Sequence, residues 1–89
     1  MNTIEAKTYL EQQLYSDAII SAIDDATELE VAFGSGADGI FEWATSLDGQ
    51  SVMALAGYEA DDGTARMLKS CVLECARTKR HHIEYKKAA

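Results

Sequence analysis

The apolar positions of this 89-residue chain follow two periods. From Thr3 to about Ala26 they recur at helical spacing, first as Ala6, Leu10 and Leu14, then as Ile19, Ile20 and Ile23. At 100° per residue the second set falls largely on the opposite side of the helix from the first. A straight helix with this pattern presents two apolar faces. Either it is sandwiched between two surfaces, or it breaks near Tyr15–Ser16, where Ser16 and Asp17 are good caps for a second helix. The break is the preferred reading. Asn2 followed by Glu5 fits a capping box at the start.

The period shortens in the middle of the chain. Glu28–Phe33 alternates Leu29, Val31 and Phe33 with Glu28 and Glu30, the pattern of a half-buried strand. Ile40–Leu47 and Gln50–Tyr58 read as two further strands. Asp48-Gly49 between them is a strong signal for a two-residue hairpin turn. Such a turn pairs Trp43 with Ala54 and Phe41 with Ala56, large against small. The other hairpin face carries Ile40, Ala44, Met53 and Leu55 with Glu42, so the hairpin is apolar on both sides. The leftover face, with Ile40, Met53 and Leu55, is then a candidate partner surface.

Helical spacing returns from Asp62 to about His81. Ala65, Leu68, Cys71, Val72, Cys75 and Ala76 share one face, and Arg66, Lys69, Arg77 and Arg80 share the opposite one. Asp61 and Asp62 stand at the N-terminus of this helix, where acids are favoured. His82–Lys87 is a candidate short strand. The expected fold is therefore α+β: an N-terminal helix, a three-stranded antiparallel sheet and a long C-terminal helix, in one domain. This element order resembles that of the double-stranded-RNA-binding domain. That family grips phosphate through lysines at the start of its last helix. Here ADDGTAR places Asp61 and Asp62 at that position, so the resemblance is one of element order alone.

The segment VAFGSGADGIF contains G-x-G-x-x-G, the spelling of a dinucleotide-binding loop. That motif works by opening a helix whose N-terminus holds a pyrophosphate within a βαβ unit. With Gly39 leading into a strand, the unit is absent and the glycines read as a hairpin loop.

Charge divides the chain. Residues 1–62 hold thirteen acids and one base, Lys7, whereas residues 63–89 hold two acids, Glu74 and Glu84, and seven bases; the net charge is −7. The division suggests a charged partner or internal pairing. Asp24, Asp25, Glu28, Glu30 and Glu42 belong to a candidate negative face, able to occupy a basic groove on another protein as a nucleic-acid mimic does. In the rival reading Arg66, Lys69, Arg77, Lys79 and Arg80 track a phosphate backbone, with Tyr85 stacking on a base.

Little points to catalysis. Cys71 and Cys75 at i and i+4, with His81 and His82, lack the usual zinc spacing and read as core. No serine or cysteine carries a nucleophile signature, and no residue is assigned to catalysis, metal or cofactor. No apolar run reaches the roughly 20 residues of a membrane span, and no secretory leader is evident. The expectation is a small cytoplasmic, non-enzymatic protein that binds another protein or pairs with itself.

Overall fold

Thr3–Phe33 is one uninterrupted helix, α1. It continues straight through Tyr15–Ser16, so of the two readings of its double apolar pattern the break is overturned. A computed structural model describes residues 3–88 and, of their side chains, those of Ala6 and residues 9–84. Three more helices follow: α2 (Gly36–Thr45), α3 (Leu47–Leu55) and α4 (Asp62–Ala88). No strand occurs among the described residues, and the fold is all-α. The Asn2–Glu5 capping box and the Tyr85 side chain lie outside what is described.

The β part of the expected α+β fold is thereby corrected, and the element order that resembled an RNA-binding domain goes with it. Glu28–Phe33 forms the last turns of α1, Ile40–Leu47 spans α2 and enters α3, and Gln50–Tyr58 is mostly α3. The C-terminal residues expected as a strand continue α4 as helix.

Each helix boundary has a local cause. Gly34 closes α1 with φ of +71°, and its N–H donates to the Glu30 carbonyl at 2.9 Å, the left-handed stop that glycine adopts at least cost. Ser46 caps α3, its hydroxyl accepting from the Gly49 N–H at 3.2 Å. Asp48-Gly49 is therefore the first turn of a helix and not a hairpin turn. At the end of α3 the Tyr58 N–H reaches the Met53 carbonyl and the Gly57 N–H reaches the Ala54 carbonyl, the paired bonds of a Schellman stop. Asp61 caps α4 by accepting from the Thr64 N–H at 2.8 Å. The same backbone bond is the main cause holding the Asp61 carboxyl below its ordinary pKa.

α2 folds back along α1, with Gly36 against the backbone of Ala26–Glu30. α3 continues that return until Gly57 stands beside Gln12. α4 then runs parallel to α1: Thr64, Met67 and Cys71 lie near Ser16, Ile20 and Ile23, and Lys79 meets Glu28. The core lies between α1, α2 and α4 and is built from Ile19, Ala26, Ile40, Ala44, Met53, Leu68 and Val72, with alanines 37, 65 and 76. So many small residues let the helices approach closely but bury few large side chains. The molecule measures 55 × 26 × 16 Å, because α1 projects past the start of α4 at one end and α4 past the end of α1 at the other.

Candidate interaction surface

The glycine motif does open a helix. Ser35 precedes Gly36, where α2 begins, and its own side chain makes no cap bond. The first amides of α2 instead face Glu30 of α1. The Glu30 Oε1 accepts from the Ala37 N–H at 2.9 Å, and the residue is 8% exposed. A helix N-terminus attracts an anion because its first N–H groups are unpaired and its dipole is positive. Here the chain supplies that anion itself. Arg80 of α4 completes the arrangement: its Nη2 donates to the Glu30 carbonyl at 2.5 Å and lies 3.8 Å from the Glu30 carboxylate. Glu30, expected on an outward acidic face, is a structural cap joining three helices.

Most of the basic candidates find partners within the chain. Lys69 lies 2.9 Å from Asp38 on α2 and 5.9 Å from the centre of the Phe41 ring. Lys79 pairs with Glu28 on α1, and Arg77 with Glu74 one turn away on α4. Of the five bases considered for nucleic acid, Arg66 alone has no ion pair among the described residues. The basic C-terminal region therefore lies along the acidic α1 and α2 of the same chain, the internal form of the charge division. Asp24, Asp25 and Glu42 remain exposed.

The three apolar candidates separate. Ile40 and Met53 are buried in the core, because no hairpin exists to present them; Leu55 stays exposed at the end of α3. Cys71 and Cys75 depart from the expected core position as well. Both are exposed free thiols just off the buried stripe of Ala65, Leu68, Val72 and Ala76. Desolvation first, then the neighbouring Cys75, pushes the Cys71 thiol pKa up, which disfavours the nucleophilic thiolate. Among the described residues no three His, Cys, Asp or Glu side chains gather in a way that would hold a metal ion. Nor is any helix among them long and apolar enough to cross a membrane.

Two apolar grooves flank α1. One, of about 310 Å³, runs between α1 and α2 over Ala22, Gly39 and Trp43, with Asp25 at its edge. The other, of about 270 Å³, runs between α1 and α4 over Ile20, Tyr58 and Met67. Beyond both, the projecting part of α1 carries Tyr9, 58% exposed, and Leu10 and Leu14, each 65% exposed. The two leucines sit roughly 150° around the helix from buried Ile19 and Ala26. The chain thus covers one of the two apolar faces of α1 and leaves the other open. These three residues were absent from the expected contact sites. For Leu10 and Leu14 the signal was the double periodicity itself, which a break in the helix explained away; Tyr9 stood outside that pattern.

Comparison with known proteins adds a family and no activity. No curated protein and no solved structure matches the chain. Residues 8–88, nearly its whole length, match the profile of a family described as a family of unknown function, DUF6280. The chain belongs to the DUF6280 family.

Proposed function

We propose that this protein is a non-enzymatic helical interaction module, binding another protein or a second copy of itself through the outward face of the N-terminal half of α1. One observation carries the reading: Leu10 and Leu14 stand exposed on the side of α1 turned away from the bundle, with Tyr9 exposed about 100° round the helix from Leu10. Burying one such side chain is worth about 1.5–3 kcal/mol, so Leu10 and Leu14, one turn apart on the same face, form an adhesive patch. The exposed acids Asp24, Asp25 and Glu42 give the body a negative field that steers a basic partner and makes association salt-sensitive.

The test compares the wild-type chain with a Leu10→Glu/Leu14→Glu variant, both immobilised and both run by light scattering. Circular dichroism first establishes that the variant keeps its helices, as substitutions at exposed positions allow. The wild type retains a partner or has a mass above the monomer, and the variant loses both. Identical retention and identical mass for the two proteins overturn the proposal.

A further inference from the structure

We infer that the occupant of this face is a second copy of the chain, packed α1 against α1 in antiparallel fashion about a two-fold axis that passes between Leu10 and Leu14, level with residue 12 on the outward side of the helix. The inference rests on the interaction-module reading and names its partner. The first support is surface area. The chain exposes 6262 Å², whereas a compact monomer of 9.7 kDa exposes about 5,100 Å². Its radius of gyration is 15.5 Å, against about 12 Å for a compact 89-residue domain. The excess is roughly 1,100 Å². One partner in a standard-size interface contributes about 800 Å². That surplus, shared between the projecting start of α1 and the projecting end of α4, is of the order of what one partner buries in a dimer.

The second support is register. On the outward side of α1, Lys7, Leu10, Leu14, Asp17 and Ser21 follow the alternating three- and four-residue spacing of a two-helix seam. Antiparallel pairing about Gln12 sets Leu10 of one copy opposite Leu14 of the other, twice. The same register sets Lys7 opposite Asp17 at each end of the leucines. Position 7 holds the sole base among residues 1–62, so this register matches a base with an acid at both ends. Asp17 is exposed, and its carboxylate accepts a 3.2 Å bond from the Gln13 amide. Ala18, small and exposed, lies beside the seam and lets the helices close. The bundle sits on the far side of α1, so two copies meet over residues 3–21, roughly 28 Å of helix, without their bodies colliding. Like faces meet, as a closed two-fold dimer requires.

Sedimentation equilibrium from about 1 to 100 µM tests it, at low salt where surface charge pairs are least screened. The wild type is a dimer. Leu10→Glu/Leu14→Glu weakens it by more than about a hundredfold, since four buried leucines per dimer are lost. Lys7→Asp alone, or Asp17→Lys alone, places like charges together at both ends and weakens it about tenfold. The Lys7→Asp/Asp17→Lys double variant restores affinity to within roughly threefold, because opposite charges face each other again. That rescue requires residues 7 and 17 to meet, and a general surface effect does not produce it. A strict monomer at 100 µM overturns the inference while leaving capture of another protein to decide the broader reading. A dimer indifferent to the leucines, or single-charge losses without rescue in the double variant, overturns it as well.

Discussion

The two halves of α1 are built from similar residues and meet opposite fates. Its C-terminal half is enclosed to the level of the backbone: α2 presses Gly36 onto Ala26, Glu30 caps α2, and α4 ties down Glu28 and Glu30 with Lys79 and Arg80. The residues buried there are Ile19, Ala26, Thr27 and Glu30, so one large side chain is joined by small and polar ones. The N-terminal half carries large apolar side chains too, but among the described residues no neighbour covers Leu10 or Leu14. Position relative to other helices, and not hydrophobicity, decides which half stabilises the monomer. Hydrophobicity without a neighbour makes the other half a surface for association.

This contrast can be broken at several points. The largest effect belongs to Gly36→Ala. A Cβ there would stand 1.7 Å from the Ala26 carbonyl oxygen, a backbone atom that no side-chain rotation can move. The expected loss is about 3 kcal/mol or more, read as a fall in the midpoint of urea unfolding. Next comes a pair. Ile19→Ala costs about 2–4 kcal/mol, whereas Leu14→Ala changes stability by less than about 0.5 kcal/mol in samples dilute enough to be monomeric. Equal costs would mean that the N-terminal half is packed after all. Glu30→Ala, which leaves the start of α2 and Arg80 without their carboxylate, costs about 1–3 kcal/mol in the same unfolding measurement. The smallest effect has the opposite sign. Gly39→Ala meets no atom within 4 Å and sits inside α2, so it stabilises by about 0.5–1 kcal/mol, seen as a rise in Tm. Gly36 and Gly39, two glycines of one motif, thus separate by direction.

The outer helices were legible in the sequence, and the middle of the chain was not. α4 begins where Asp61 and Asp62 announced a helix start, and its stripe of Ala65, Leu68, Val72 and Ala76 is buried as spaced. The double pattern of α1 was also visible; the error lay in resolving it by a break. From residue 28 onward the helical signal fades because the inward positions are not conspicuously apolar. Thr27 is buried with its hydroxyl bonded 2.7 Å to the Ile23 carbonyl, and Glu30 is buried as a cap. What remains conspicuous is Leu29, Val31 and Phe33, whose alternation imitates a strand. In α2 and α3 the buried set includes Gly36, Ala37, Ala44 and Gly49, small residues that a hydrophobic period does not register. Asp-Gly then read as a turn when Ser46, two residues earlier, was the true marker of a helix cap. Among the described residues, three of the four ion-paired bases reach acids on another helix, contacts that no local pattern encodes.

The Glu30 carboxylate sits where the end of α1, the start of α2 and the last third of α4 converge. Amide hydrogens around this point are expected to exchange with solvent together, because the Ala37 N–H, the Arg80 guanidinium and the Gly34 N–H all bond to Glu30. Residues 30–40 and 77–81 should therefore share one opening free energy, distinct from that of the projecting start of α1. The tip of the bundle then behaves as a single latch, held shut by one acidic side chain.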